Sequence, residues 1–306
     1  MKIKMEYFEK INCPICKCKK FEIIKKNVHK KKLNLDEIKK IYLSSSAQKL
    51  LDQLVKCSKC DFHYLNPRIR SSIIIDSYKM NPDLEFVKYN KYRLKTFQLN
   101  MNRIKRILKI KSFNNFDILD VGCGGGTFLL AAKKLKANAE GIEPNKWLVQ
   151  FIKNKYKYKI KSGTLDTIKH KKRFDLITFW DVFEHMTDLN KTLKICKKLL
   201  KKNGILLLNI PDHGSIFRKI LQFNWPFYLN VHLYYFEKNN VIKLLDKHKF
   251  KFIIDLIHLQ ILPIKYILFR SANYFRIFYY INKLIPKKFN FGIMYNVGQR
   301  IYLFKK

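Results

Sequence analysis

Asp120-Val-Gly122-Cys-Gly124-Gly-Gly126 decides how this chain of 306 residues is read. The stretch follows an apolar run, Phe116–Val121, that reads as a buried strand, and it precedes Thr127–Leu135, which reads as a helix. Glycines at 122, 124 and 126 let the chain turn sharply, and let a ligand press against backbone that carries no Cβ. A dinucleotide fingerprint, Gly-x-Gly-x-x-Gly counted from Gly122, needs glycine at position 127. Thr127 stands there, which disfavours nicotinamide and flavin cofactors.

Outward from this loop the chain alternates in the α/β manner. Ala139–Glu143, Phe174–Trp180 and Gly204–Ile210 read as further strands, and Arg300–Phe304 as a closing one. Lys191–Lys201 reads as a helix with Leu193, Cys196, Leu199 and Leu200 on one face. Short apolar strands alternating with such helices imply an α/β, Rossmann-like fold: a doubly wound, mostly parallel sheet with helices on both faces. We place this domain at residues 111–306, after a helical linker or cap at 71–110. A smaller segment, residues 1–70, precedes both and carries a helix-prone insert, Leu35–Val55.

Asp-x-Gly-x-Gly-x-Gly after the first strand resembles the loop of the class I S-adenosyl-L-methionine-dependent methyltransferases. Glu143 supports the resemblance: it ends the next strand 17 residues after Gly126, where an acidic side chain can accept bonds from both ribose hydroxyls. The resemblance implies that Asp120, Gly122, Gly124 and Gly126 shape the loop against the methionine part and ribose of the cofactor. It also implies that Thr164 and Leu165, after the third strand, lie beside the adenine, and that Asp181 touches the methionine amino group. Phe174–His185 looks like the fourth strand and its turn, and Leu199–Asn209 like the helix, turn and fifth strand that follow. The match spans about residues 70–306 and is best between 116 and 236. The Asn-Pro-Pro-Tyr motif of many amino-group and base methyltransferases is missing, which points to oxygen or carbon as the acceptor atom. Three histidines, His185, His213 and His232, are candidates for the base that takes a hydroxyl proton. His185 comes first, because the turn it resembles sits beside the cofactor.

Cys13-Pro-Ile-Cys16 and Cys57-Ser-Lys-Cys60 have the spacing of two zinc knuckles, which together make a four-thiolate tetrahedral site for a structural Zn2+. Forty residues separate Cys16 from Cys57, against roughly 15–20 in a compact ribbon. Cys18 reads as a spare thiol, and Cys123 and Cys196 as core thiols. The arrangement is similar to that of bacterial methyltransferases with an N-terminal zinc ribbon, among them sugar C-methyltransferases, and Cys60–Arg68 looks like the end of that ribbon. This likeness implies a small-molecule acceptor, a sugar or a glycan precursor from cell-surface polysaccharide or secondary-metabolite synthesis.

A formal charge of +40 suggests nucleic acid or an anionic membrane. Only ten of the 63 basic residues are Arg, the side chain suited to bidentate phosphate and base recognition, so the charge reads as a solvated surface and nucleic acid is disfavoured. Met1–Ile11 lacks the apolar core of a secretory signal, and the longest uncharged run, Ile220–Phe236, contains Pro226, Gln222 and His232 and makes a poor transmembrane span. The expectation is a cytoplasmic protein without a transmembrane segment. Residues 256–291 form an aromatic, basic insertion before the last strand, read as a lid over the acceptor or as a surface that meets the inner membrane face. The rival readings are an RNA methyltransferase and a non-catalytic zinc-binding scaffold on the same fold.

Overall fold

The structure is a computed structural model that describes residues 5–29, 33–43, 49–79, 87–167, 172–272, 274–286 and 289–306. Its N-terminal part holds β1 (Phe8–Glu9), β2 (Phe21–Lys25), α1 (Leu35–Ile41), β3 (Leu54–Cys57), β4 (His63–Leu65) and β5 (Arg68–Ile69). Two helices follow, α2 (Ser71–Lys79) and α3 (Asn90–Ile107). The α/β part then runs through β6 (Asp117–Val121), α4 (Thr127–Lys134), β7 (Asn138–Glu143), α5 (Lys146–Tyr156), β8 (Ile160–Ser162), β9 (Phe174–Trp180), α6 (Leu189–Leu199) and β10 (Leu200–Pro211). It closes with α7 (Ile216–Leu221), β11 (Tyr234–Tyr235), α8 (Lys238–Lys247), β12 (Lys251–Ile257), β13 (Gln260–Pro263), α9 (Ile264–Ser271), α10 (Ile277–Leu284), β14 (Gly292–Tyr295) and β15 (Gln299–Lys305).

Seven strands form the central sheet in the order β12-β15-β10-β9-β6-β7-β8. All neighbours are parallel except those of β15, which runs against both β10 and β12. Successive residues of a strand point to opposite faces, and here both faces are covered. Ile118, Leu176, Leu207 and Leu303 join a core with Met101 and Ile104 of α3 and Phe128 of α4. Their chain neighbours Leu119, Ile177, Leu206 and Phe304 join the opposite core, with Leu193 and Cys196 of α6 and Leu244 of α8. Two-sided burial is why these strands read as continuous apolar runs. Each buried leucine contributes about 1.5–3 kcal/mol.

The element ends depart from the sequence reading where hydrogen bonds decide them. The helix expected over Lys191–Lys201 begins at Leu189, because Asp188 caps it by accepting from the Lys191 amide at 3.0 Å. It ends at Leu199, since Leu200 already pairs with Phe174 in the sheet. The insert expected to be helical over Leu35–Val55 is helical over Leu35–Ile41, where Asn34 and Glu37 form a capping box, and Leu54 and Val55 belong to β3. Between them Leu50 donates to the Tyr228 carbonyl, and the Leu51 and Asp52 amides donate to Asn230 Oδ1, drawing the chain onto the α/β part. Residues 44–48 of that insert lie outside the described residues, as do 80–86 of the helical linker.

Residues 256–291 divide more finely than a helical lid. Leu256 and Ile257 finish β12, and the antiparallel pair β13–β14 then clasps α9 and α10 between β12 and β15. Asn273, Lys287 and Lys288 lie outside the described residues.

The cysteine-bearing segment is joined to the α/β part by strand pairing. Its sheet has the order β11-β4-β3-β2, so the fourth strand comes from residues far along the chain. Arg68, almost fully buried, pairs with Glu9, donates to the Tyr234 hydroxyl at 2.6 Å and donates to the Thr187 carbonyl at 2.9 Å. Phe62, Tyr64 and Cys57 enter the same core as α6 and α8.

Candidate active site

The glycine loop takes the shape its sequence calls for. Gly122, Gly124 and Gly126 have φ of 68°, 51° and 73°, the left-handed region that residues with a Cβ rarely adopt. A Cβ on Gly122 would stand 2.7 Å from Val182, so any larger residue there must displace the turn after β9. Glu143 at the end of β7 fastens the loop: one carboxylate oxygen accepts from the Gly124 amide and the other from the Asn145 amide, both at 2.9 Å.

A cleft lies against this loop, lined by Gly122, Gly124, Glu143, Thr164, Leu165 and Asp181 among others. Six of the residues singled out as cofactor contacts are thus brought together from four strand ends, the place where open α/β sheets bind ligands. The remaining two sit beneath the loop. Gly126 caps α4 and faces Ile152, and Asp120 is buried below the turn, accepting from the Thr178 hydroxyl at 2.7 Å. Burial pushes the Asp120 carboxyl up to about 8, against the pull of the Thr178 hydrogen bond.

A second cavity opens on the other side of the β9 turn. Its walls include Arg93, Trp180, Glu184, His232, His258 and Tyr266. The two cavities share Gly122, Asp181 and His185, so they meet at the residues that follow β6 and β9. Asp181 adopts φ of 56°, a strained conformation for a residue with a Cβ and one that marks functional turns. Asn209 donates to its Oδ1 at 2.7 Å, and Gln299 donates to the same oxygen. Burial pushes the Asp181 carboxyl up to about 7, although Arg93 pulls the other way.

His185 lies across from Asp181. Its Nδ1 is 3.2 Å from the Tyr78 hydroxyl of α2, and its ring stands edge-on to His232, with 4.8 Å between centroids. Burial holds His185 down to about 4 and His232 well below its ordinary value, so both imidazoles are neutral at pH 7. The His232 Nδ1 is engaged with the Phe227 carbonyl at 2.8 Å. Glu184 brings a carboxyl within 4.8 Å of ligand nitrogens of both rings, 1% exposed and with neither oxygen hydrogen-bonded. Trp180 Nε1 and Asn209 Oδ1 are likewise buried without partners. Buried polar atoms left unmatched are costly, and a wall of them marks a cavity built for a polar ligand. His213, the remaining histidine candidate, is engaged elsewhere, with Tyr228 at 2.7 Å, Glu237 at 3.3 Å and the ring of His63.

Sequence reasoning gave no role to Tyr78, Glu184, Asn209, Gln299 or His258. Asn209 alone carried a signal, as a lone amide inside the apolar run Leu206–Ile210. The others converge through the fold.

The four cysteines of the two knuckles also converge. Cys13 and Cys60 sulfurs are 3.5 Å apart, Cys16 and Cys57 sulfurs 3.4 Å, and all four lie within 4.8 Å of one another. Tetrahedral Zn–S bonds of about 2.3 Å set sulfurs about 3.8 Å apart, which this cluster fits. Cys18 stands aside, its thiol directed at the Lys20 carbonyl at 3.6 Å. Cys123 and Cys196 are buried.

Sheet order, glycine loop and paired cavities define a class I methyltransferase fold. Residues 89–253, more than half of the chain, match the model of the methyltransferase domain family, and the chain belongs to that family. A ubiquinone biosynthesis O-methyltransferase of Pelagibacter ubique is 36% identical over 103 residues, covering 32% of this chain and 43% of that protein. The protein of the same description from Coxiella burnetii (strain RSA 493) is 30% identical over 118 residues, covering 36% of this chain and 50% of that protein. The chain thus spans half or less of the length of these curated relatives. Among solved structures, magnesium protoporphyrin IX methyltransferase from Synechocystis with bound SAH aligns with a TM-score of 0.50 at 12% identity, over 78% of this chain and all of that one. That likeness concerns the fold.

Proposed function

We propose that this chain transfers a methyl group from S-adenosyl-L-methionine to an oxygen of a hydroxyl-bearing small molecule, with sugars and glycan precursors as one acceptor class. One observation carries the reading: a cleft on the glycine loop and a polar, aromatic-walled cavity meet at Gly122, Asp181 and His185. The relatives described as O-methyltransferases support oxygen as the acceptor atom.

The residues fit the cofactor. Gly122 offers backbone that a Cβ would block, Glu143 presents a carboxylate at the cleft wall to the ribose hydroxyls, Thr164 and Leu165 flank the adenine end, and Asp181 supplies a carboxylate for an ammonium group. Bound there, S-adenosylmethionine supplies a methyl group already activated on a sulfonium. The chain's own task is to hold the acceptor in line with that methyl, and orientation alone can lower such a barrier by about 7–11 kcal/mol. Neutral His185 takes the acceptor's proton, with Tyr78 orienting its ring; Glu184, which burial holds toward its neutral acid form, lies within reach of both imidazoles. Cys13, Cys16, Cys57 and Cys60 hold a structural Zn2+, which fixes the segment carrying β3 and β4 and through β11 the chain beside His232.

Incubating the purified chain with methyl-labelled cofactor and panels of hydroxylated acceptors, nucleotide sugars and phenols first, tests this. Label should pass to acceptor oxygen; transfer to RNA instead would sink the small-molecule reading.

A further inference from the structure

Helix α10 displays its apolar stripe outward. Ile277, Tyr280, Ile281 and Leu284 recur at i, i+3, i+4 and i+7, the spacing that normally faces a core. Here Ile277 is 59% exposed and Leu284 82%, and the helix buries no residue fully. Around the stripe stand exposed Phe269, Phe275, Phe289 and Phe291. A second short helix, α7, does the same: Ile216 and Ile220 are each 71% exposed, with Phe217 and Phe223 beside them. Exposed apolar surface on this scale marks an interaction site.

Segments next to each helix in the chain line one cavity. Tyr274, between α9 and α10, directs its hydroxyl to the Pro226 carbonyl, and both residues line the acceptor cavity, as do Phe227 after α7 and Tyr266 and Arg270 of α9. The charge is one-sided. From position 256 to the last residue the chain has no Asp or Glu and nine Lys or Arg, and from 213 to 236 it again has no acid but carries Arg218 and Lys219. Within α10 the bases border the stripe, Lys283 lying 4.6 Å from the centre of the Tyr279 ring. Aromatic and aliphatic side chains bordered by lysine and arginine form the pattern that inserts shallowly into an anionic bilayer. Among the described residues no helix is long and apolar enough to cross a membrane, so the contact would be in-plane.

We propose that α7 and the β13–β14 insertion dock this chain on an anionic lipid surface, so that its acceptor cavity opens toward the bilayer and takes an amphiphilic, lipid-borne acceptor. The docking surface stands on these helices alone; the acceptor class rests on the methyltransferase reading. Flotation of the full chain with phosphatidylcholine vesicles, with and without phosphatidylglycerol, tests it at low and high salt. Binding should require phosphatidylglycerol and fall with salt. Leu284→Glu with Ile281→Glu should weaken binding at least tenfold, and Arg276→Glu with Lys283→Glu should do so in proportion to the anionic lipid. Titration with S-adenosylmethionine on the same samples checks that the variants fold, since these exposed positions lie away from the cleft. A Leu284→Trp variant should shift its emission to the blue on vesicles. No flotation at low salt, or flotation unchanged by the paired glutamates, would overturn the proposal. So would sedimentation showing that wild type dimerises and Leu284→Glu does not, because the apolar face would then cover a second copy.

Discussion

The cofactor cleft and the acceptor cavity share Gly122, Asp181 and His185 and differ in nearly everything else. The cleft joins the glycine loop and four strand ends to side chains of α2 and α6, and its Glu143 carboxylate accepts from two amides. The cavity is made by side chains from α3, β9, β10, α9 and β14, several of them buried without partners. A satisfied cleft is pre-organised for one ligand. An unsatisfied cavity stores polar capacity that its own ligand must fill, so its affinity for the right acceptor and its rejection of wrong ones rest on the same atoms.

The Zn2+ proposed at Cys13, Cys16, Cys57 and Cys60 is the largest lever on that contrast. Removing it with a strong chelator should lower the thermal midpoint by about 10 °C or more, since thiolate sites contribute folding energy directly. Because β11 pairs with β4 and follows His232 closely, acceptor turnover should collapse before cofactor affinity does. Calorimetric titration across a chelator series checks this; parallel loss of both would break the distinction. His185→Ala should cut turnover at least tenfold while cofactor affinity stays near wild type, measured as kcat beside the dissociation constant. A smaller effect belongs to Asp181. Its carboxyl titrates near 7 in the ligand-free chain, and an ammonium group binds the ionised form. Cofactor affinity should therefore rise as pH goes from 6 to 8, by up to about tenfold per unit below 7, and Asp181→Asn should flatten that profile. An unaltered profile in the variant removes Asp181 from the ammonium site.

What the sequence disclosed follows the same divide. Gly122, Gly124 and Glu143 were legible because a tight strand-to-helix turn leaves a local pattern, and β6, β9 and β10 because two-sided burial leaves apolar runs. The cysteine cluster was legible from spacing, although its 40-residue gap hid the way β3 returns to β2. The acceptor cavity was largely illegible. Tyr78 meets His185 and Gln299 meets Asp181 through contacts spanning more than a hundred positions, and no local pattern encodes them. The helix misread over Leu35–Val55 has the same cause, since Asn230 and Tyr228, far along the chain, set the path of residues 50–52.

The most direct test of the central claim is calorimetric titration of the purified chain with S-adenosylmethionine, S-adenosylhomocysteine and NAD, beside a Gly122→Val variant. Both adenosyl ligands should bind in the micromolar range and NAD not at all, and the variant, whose side chain would enter the space of Val182, should lose at least a hundredfold. Failure of both adenosyl ligands to bind the wild-type chain, or equal binding by the valine variant, would contradict it.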